Sequence, residues 1–349
     1  MKFEDRPFIS IDLGTSNIIA YVAKQGIIYN EPSVLAYDIM TNKLLAMGQE
    51  AYEMIGKTPD MVRMVVPINE GTISDFDAAK ELIKNVFGKI NMTNKFKDAV
   101  VLLACPSDIT ELERAALKEI AVEMGASFAI VEEEVLMAAI GAGLNIDSPS
   151  GHIVIDIGGG TTDIAIIASG SIIYSKSIKM AGKHFDEEIR KYIRSEYNIQ
   201  VGEISSERIK KEIASLQKIK DERSIPVFGR DIISGLPKEA KVSSEEIRNV
   251  MVSSFAKITD TVISLLELSP PELAGDIIKN GMIVCGGGAL IKGVDKYFED
   301  IFSLPCKKAK NPLECVIEGT KQYQKVINKR YEQGYYGKAN RIERSEFIK

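Results

Sequence analysis

Two segments of the chain repeat one arrangement of apolar and polar positions. In the first, an apolar run reaches Ile11-Asp12-Leu13, a polar turn Gly14-Thr15-Ser16-Asn17 follows, and a second apolar run covers 18–22. In the second, Ile155-Asp156-Ile157 leads into Gly158-Gly159-Gly160-Thr161-Thr162-Asp163 and then an apolar run over 164–167. Each copy closes on a similar phrase, Gly26-Ile27-Ile28-Tyr29 and Ser171-Ile172-Ile173-Tyr174. Short apolar runs separated by glycine and hydroxyl residues predict β-hairpins. Their duplication predicts two half-molecules that begin with the same device.

Strands are expected over 8–13, 18–23, 33–37 and 99–104. Phe76, Ala79, Leu82, Ile83, Val86 and Phe87 recur at helical spacing and predict a helix over 75–90. Thr110 and Glu113 have the spacing of a capping box, with Gly125 placed to end the helix that they start. A strand ending at Val131 and a helix over about 134–143 follow, and then the linker Asp147-Ser148-Pro149-Ser150-Gly151. The second half predicts helices over about 184–197 and 206–219, one from Ser243 with Glu246 in the box position to about 266, and one starting at Pro270-Pro271. The strand Ile283-Val284-Cys285 then runs into Gly286-Gly287-Gly288, a last helix covers about 312–328, and 329–349 is a polar tail. A hairpin followed by strand–helix alternation in each half is an α/β pattern.

Composition narrows the function classes. A chain of 349 residues, 45% hydrophobic and 27% charged, buries a large core and divides into domains. A net charge of −5 gives no basic footprint for nucleic acid. Cys105, Cys285, Cys306 and Cys315 show no Cys-x-x-Cys spacing and read as reduced, cytosolic thiols. His152 and His184 have no ligand-like partners, so no structural zinc is expected. The charged N-terminus is no signal peptide, and no apolar run approaches the ~20 residues of a membrane span.

The chemistry is carried by the duplicated turns. Turn glycines let backbone N–H groups approach phosphate oxygens, and hydroxyls add donors. One such turn is explained by a tight hairpin alone; two, each with an Asp at the same offset, point to a polyphosphate clamp. Asp12 and Asp156 would then stand where Mg²⁺ needs oxygen partners, through water. Neither the P-loop nor the dinucleotide-binding glycine pattern is present. Gly286-Gly287-Gly288 suits a flat ligand lying on bare backbone, or else a plain strand-to-helix connection. Glu207 and Lys210 share a helix face, either as an exposed ion pair or, beside a nucleotide, as contacts to ribose hydroxyls and adenine. Glu132-Glu133-Glu134 either answers a helix dipole or orients a water for attack on a γ-phosphate, with Thr161 as a second contact to that water.

Taken together, these motifs resemble the actin/Hsp70/hexokinase ATPase superfamily, and most closely the bacterial actin MreB family, to about Asn328. The turn at 11–17 looks like the first phosphate motif, Asp156 to Asp163 like the second, and Gly286 to Leu290 like the adenosine motif. Asn30-Glu31-Pro32-Ser33-Val34, Cys105-Pro106-Ser107 with Ile109-Thr110-Glu111, Gly229-Arg230-Asp231 with Gly235-Leu236-Pro237, and Pro270-Pro271-Glu272-Leu273-Ala274 are phrases typical of that family. The resemblance implies an actin-like α/β fold of two duplicated domains around an ATP cleft. Domain I would cover 1–150 with a small subdomain at 32–66, and domain II 151–312 with a helical subdomain at 182–245. A C-terminal helix at 313–328 would return to domain I, ahead of a basic, aromatic tail at 329–349.

The resemblance also implies ATP/ADP and Mg²⁺ as cofactors. Glu134, Asp156 and Thr161 become the catalytic set. Asp12, Gly14, Thr15, Ser16, Asn17, Gly158, Gly159, Gly160, Thr161, Thr162, Gly182, Glu207, Lys210, Gly286, Gly287 and Gly288 become the nucleotide contacts, with Asp12 and Asp156 next to the metal. The implied activity is slow ATP hydrolysis coupled to assembly of paired protofilaments, cytoplasmic and peripheral at the inner face of the membrane. Three family positions differ here: Val135 replaces a Pro, Ile18 a Thr and Val66 an Arg. The tail at 329–349 holds six basic against three acidic residues, a net of +3, with Tyr331, Tyr335, Tyr336 and Phe347 interleaved. It reads as a solvated end or as an attachment to anionic lipid, with Met92 and Phe96 of the 91–97 loop as a second contact. The absence of Trp, with many Lys, Ile and Asn, points to an AT-rich genome and to the MreB paralogues of helical, wall-less bacteria, where filaments serve helicity and swimming. Sister proteins of that family are expected as co-assembling partners. A non-hydrolysing scaffold, a small-molecule kinase and a chaperone-like ATPase are the alternatives, and no sugar-type motif or substrate-binding domain supports the last two.

Overall fold

The apolar runs at the head of each half fold as strands with matching connections. The computed structural model describes residues 3–90, 98–107 and 109–335. These divide into two units. The first reaches Met54, resumes over Pro59–Asn145 and takes the chain back from Glu314; the second holds Ile55–Thr58 and Ile146–Leu313.

In the first unit β1 (Phe8–Leu13), β2 (Asn17–Val22) and β3 (Gly26–Pro32) form an antiparallel meander. β4 (Leu35–Asp38), β5 (Leu44–Met47) and β6 (Val62–Val65) make a small separate sheet, with α1 (Gln49–Met54) after β5. β7 (Ile68–Asn69) and β8 (Thr72–Ile73) pair before α2 (Phe76–Lys89), whose Asp75 cap accepts from the Ala78 N–H at 3.0 Å. β9 (Val100–Cys105), α3 (Glu111–Glu123), β10 (Phe128–Glu133) and α4 (Glu134–Gly141) complete it. The Thr110–Glu113 capping box is formed as the spacing predicts. β9 and β10 run parallel to β1, giving the order β10-β9-β1-β2-β3. Parallel strands are buried on both faces, hence the unbroken apolar runs. Ile9, Ile11, Leu13, Val101, Leu103 and Val131 face a core with α2 and α3. The opposite face carries Ser10, Asp12 and Glu132, since side chains alternate along a strand.

The second unit repeats the plan. β11 (His152–Ile157), β12 (Thr162–Ala168) and β13 (Ser171–Ile178) are the meander. Next come α5 (Gly182–Tyr197), β14 (Ile199–Gln200), α6 (Glu203–Ile213), and the hairpin β15 (Ser224–Asp231) and β16 (Pro237–Ser243). α7 (Ser244–Glu267), α8 (Pro271–Asn280), β17 (Met282–Cys285), α9 (Val294–Phe302) and β18 (Cys306–Lys308) follow. The order is β13-β12-β11-β17-β18, with β17 and β18 parallel to β11. That is the first sheet again, strand for strand. Even its irregularity repeats: Ala20 pairs with Tyr29 but Tyr21 with Ile27, and Ile166 with Tyr174 but Ile167 with Ile172. Ile28 and Ile173 are therefore equivalent bulge residues, which explains the repeated phrase at the end of each hairpin.

Several boundaries differ from the sequence expectation. α6 stops at Ile213 rather than near 219, because Ala214 turns extended and Ser215 bridges to Lys292, so a tertiary strand contact overrides helical periodicity. The β15–β16 hairpin was hidden by an outer face that mixes Ser224, Pro226, Phe228 and Arg230 with Pro237, Glu239 and Lys241, although Ile225 and Val227 alternate inward. The last helix begins with a 3₁₀ turn at Pro312–Glu314 and continues as α-helix from Cys315 to Glu332, past the expected end near 328. The tail therefore starts later. Arg330 bonds the Tyr323 hydroxyl at 2.5 Å, and Tyr331 stacks on Phe3 with ring centroids 3.7 Å apart. Residues 91–97 and 336–349 lie outside the described residues.

α7 has an unusually well-supplied cap. Glu246 accepts from the Ser243 N–H at 2.7 Å and from the Tyr192 and Tyr197 hydroxyls at 2.9 and 2.5 Å. Burial raises its carboxyl, but the Ser243 and tyrosine hydrogen bonds outweigh that and hold it at about 2. Glu246→Ala should cost about 1–3 kcal/mol, a lost cap plus two orphaned phenols. A carboxyl depressed in the fold stabilises above its unfolded value near 4.5. The contribution is lost as pH falls toward about 2, so the difference between parent and variant in urea midpoint should shrink across that window.

Candidate functional site

Ligands of α/β folds bind beyond the carboxyl ends of the parallel strands. In the first unit that edge brings together Asp12 of β1, Cys105 of β9, Glu133 at the end of β10 and Glu134 directly after it. Asp12 is 8% exposed and its Oδ1 has no hydrogen-bond partner among the described residues. Burial pushes its carboxyl up to about 7. A dry carboxylate with an unused oxygen is costly without a counter-charge. That donor suits a cation reached through water. Among the described residues no group of three His, Cys, Asp or Glu side chains could hold a metal directly.

The turn beside Asp12 is tightly drawn. A Cβ on Gly14 would stand 2.7 Å from the Asn17 carbonyl oxygen. Ser33, which sequence reasoning did not single out as a site residue, pins the turn. Its hydroxyl donates to the Gly14 carbonyl at 2.7 Å and its N–H to the Ser16 carbonyl at 2.9 Å. Thr15 is buried, while Ser16 and Asn17 are exposed. Asn17 donates through Nδ2 to Asn30 at 2.8 Å, so that group is already committed within the meander.

The three consecutive glutamates separate by geometry. Glu132 ends near β10's tip and accepts from the Tyr323 hydroxyl at 3.1 Å. Glu133 is the N-cap of α4 without a side-chain cap bond, and Glu134 is the first helical residue. A carboxylate there is favoured by the helix dipole. Burial raises the Cys105 thiol well above its usual value, and the Glu134 and Asp12 carboxylates raise it further, which puts all three groups in one neighbourhood. Val135, where the family has Pro, is fully buried at the second helical position. Proline favours a helix start but is not needed for one, so Glu134 keeps its place.

In the second unit the Gly158 N–H donates to the Thr161 carbonyl at 2.9 Å, closing the turn. α5 docks on that turn: Gly182 and Lys183 donate their N–H groups to the Gly158 and Gly159 carbonyls at 3.1 and 2.8 Å. Thr161 donates its hydroxyl proton to Asp163 at 2.8 Å, leaving its lone pairs to accept, and Thr162 donates to the Met180 carbonyl. Gly160 is buried within the turn. Asp156 and Gly286 lie against each other. A Cβ on Gly286, where φ is +76°, would stand 2.4 Å from both Asp156 Oδ1 and the Ile157 carbonyl oxygen. One on Gly288 would strike Ile157 at 2.2 Å, with Gly287 between them exposed. Glycine is thus demanded here by strand packing, and it leaves bare backbone beside Asp156.

Glu207 and Lys210 share α6 but point to different partners. Lys210 donates to the Gly182 carbonyl at 2.9 Å and to Asp186 at 2.8 Å, while Glu207 pairs with Lys211 at 2.7 Å. Lys210 therefore ties α6 to the start of α5, which docks on the 158–161 turn. Asp186, missed from sequence, holds it; burial raises that carboxyl to about 6 against the pull of Lys210. Its only sequence signal is its place four residues after Gly182 on the same helix.

Comparison with known proteins fits this arrangement. The family model described as MreB/Mbl protein matches residues 6–332. The cell shape-determining protein Mbl of Bacillus subtilis is 43% identical over 312 residues, 89% of this chain and 94% of that protein. The crystal structure of MreB5 of Spiroplasma citri bound to ADP is 61% identical, with a TM-score of 0.92 over 95% of this chain and 100% of that one. The MamK double helical filament, 21% identical with a TM-score of 0.77 over 92% of this chain and 99% of that one, shares the actin-like fold. With a family model spanning almost the whole chain and relatives this similar along its length, the chain belongs to the MreB/Mbl family.

Proposed function

We propose that this protein is an ATP-binding bacterial actin that polymerises into filaments governing cell shape, or helicity and motility, and hydrolyses ATP slowly as it assembles. The observation that carries the reading is the duplicated meander, whose first two strands are joined in each unit by a glycine–hydroxyl turn with a buried carboxylate, Asp12 or Asp156, at its mouth. The relative of 61% identity has been solved with ADP and also with AMPPNP, and the Mbl relative is named for determining cell shape. Backbone N–H groups of the two turns would bind phosphate oxygens, and Lys210 would brace from α6 the start of α5 that docks on the second turn. Asp12 and Asp156 would hold waters of a Mg²⁺, which neutralises phosphate charge when bound. Glu134 would accept a hydrogen bond from the attacking water, with the lone pairs of Thr161 as a second acceptor.

Phosphate release with Mg-ATP, run beside electron microscopy of the same sample, tests this. Filaments with slow release are expected. Filaments without release would favour a scaffold that uses ATP only to hold subunits together, and release without filaments would favour a soluble kinase or phosphatase.

The filament is proposed to be cytoplasmic and to lie under the membrane, with sister family members as co-assembling partners. Among the described residues no helix is long and apolar enough to cross a membrane, so attachment would be peripheral. With Arg330 and Tyr331 built into the first unit, the electrostatic contact falls to residues 336–349, whose net charge is +2. At about 1 kcal/mol per basic residue near an anionic surface, deleting 336–349 should weaken vesicle sedimentation about tenfold or more without changing pelleting of filaments. Unchanged vesicle binding would move the contact to the 91–97 loop.

A further inference from the structure

The sheet face that carries Ser10, Asp12 and Glu132 is covered by the C-terminal helix, Cys315–Glu332. Thr320 donates to the Ser10 hydroxyl at 2.6 Å, both groups buried. The helix also lies directly on α4, backbone to backbone. A Cβ on Gly319 would stand 1.8 Å from the Met137 carbonyl oxygen, and one on Gly141 1.8 Å from that of Cys315. With no side chain between them, the two helices cannot slide independently.

From this crossing a chain of polar contacts leads to the start of α4. Tyr323, fully buried, donates its hydroxyl to Glu132 Oε1 at 3.1 Å. Arg330 donates to the same hydroxyl and stands 3.9 Å from Glu132 Oε1. Glu132 sits two residues before Glu134, at the end of β10, where the chain turns into α4. Burial raises the Glu132 carboxyl, and the Tyr323 hydrogen bond and the Arg330 and Arg114 charges oppose it. The half-buried Glu132 carboxylate would swing outward if the Tyr323 and Arg330 donors were removed, and the following peptide would turn with it.

We propose that Arg330, Tyr323 and Glu132 are positioning residues for Glu134, so that the C-terminal helix fixes the direction in which Glu134 leaves β10 and thereby sets the rate of γ-phosphate cleavage. The proposal rests on Glu134 being the residue that orients the attacking water. The signal would run from the end of the chain: Arg330 lies in the last turn of the helix, immediately before the basic, aromatic segment. Whatever displaces that last turn changes hydrolysis without touching the nucleotide.

The test uses the full chain and reads phosphate release at saturating Mg-ATP per pelleted subunit, together with the KM for ATP. Tyr323→Phe keeps the ring and removes only the hydroxyl. It should lower kcat about threefold or more while KM stays within about twofold, and Arg330→Gln should do the same. Arg330→Lys, which keeps a charged donor, should recover at least about half of the parent rate. In the Glu134→Ala background, Tyr323→Phe should slow release no further, because nothing remains to be positioned. A structural role would still slow the double variant, and that result would overturn the proposal. So would parent-like release from both Tyr323→Phe and Arg330→Gln when Glu134→Ala is slow. Parent-like release from Glu134→Ala itself would remove the reading of Glu134, and the positioning proposal with it.

Discussion

Glu134→Ala is expected to bind ATP as the parent does and to release phosphate several-fold more slowly. Binding should survive because the groups proposed to hold the nucleotide are elsewhere: the turns after Asp12 and Asp156, the Gly286–Gly288 backbone and Lys210. Glu134 stands at the first position of α4, near Asp12 and Cys105, and has no place in those turns. A negatively charged residue is favoured at a helix start, and a carboxylate there can accept a hydrogen bond from the attacking water. The loss should be modest beside a general base of a fast enzyme, because stabilisation of phosphoryl charge would remain. Nucleotide affinity by fluorescent-ATP titration and phosphate release on one preparation check both halves. Equal release from the two proteins would remove Glu134 from the mechanism and leave Glu133 as the next residue to change. Unchanged ATP affinity in the slow variant is what separates a hydrolytic role from a collapsed site.

Gly319→Ala is expected to be strongly destabilising although alanine is the better helix former. The added methyl would be directed at the Met137 carbonyl oxygen, 1.8 Å from the ideal Cβ, with the Gly141 nitrogen at 3.0 Å. Both obstacles are backbone, so no rotamer change relieves them and the two helices must separate. Overpacking of this kind costs about 3 kcal/mol at the upper end of its usual range. The helix-propensity gain of about 1 kcal/mol offsets part of it, for a net loss of about 2 kcal/mol. Far-UV circular dichroism in urea should show the midpoint falling in the variant. With two units present the unfolding need not be one transition, and the shift is expected in the one that reports the first unit. An unchanged midpoint would mean that the helices do not touch at this crossing. Gly141→Ala meets the Cys315 carbonyl oxygen in the same way and should behave alike.

The elements written locally in the chain were the readable ones. The Thr110–Glu113 and Ser243–Glu246 boxes formed at the predicted positions because a cap is made by residues three apart. The two meanders were visible because an apolar run, a glycine turn and a second apolar run need no distant partner to be recognised. What escaped depended on distant neighbours. α6 ends early because Ser215 meets Lys292, a contact that no window of sequence contains. The last helix continues through Glu332 because Arg330 finds Tyr323 and Tyr331 finds Phe3, so residues that look like a polar tail are folded. The hairpin at β15 and β16 was overlooked because its outward positions mix Pro226, Arg230, Pro237, Glu239 and Lys241 with an exposed Phe228, and the inward Ile225 and Val227 are too few to stand out.

The candidate site divides along the same line. The duplication, the two turns, the Asp at the mouth of each, and the glycine run after the strand at 283–285 could all be read locally, because each is a contiguous phrase whose chemistry follows from its residues. Tertiary structure alone decided which groups are engaged and by whom. It set Asp12 in a dry place with an unused oxygen, turned Lys210 toward Gly182 and Asp186 instead of leaving it as a partner for Glu207, and gave Thr161's proton to Asp163. It also gave three adjacent glutamates different surroundings by bringing Tyr323, 191 residues away, against the first of them. A hydrogen bond or a buried charge is a property of what surrounds a side chain, and those surroundings come from parts of the chain whose meeting no local pattern specifies.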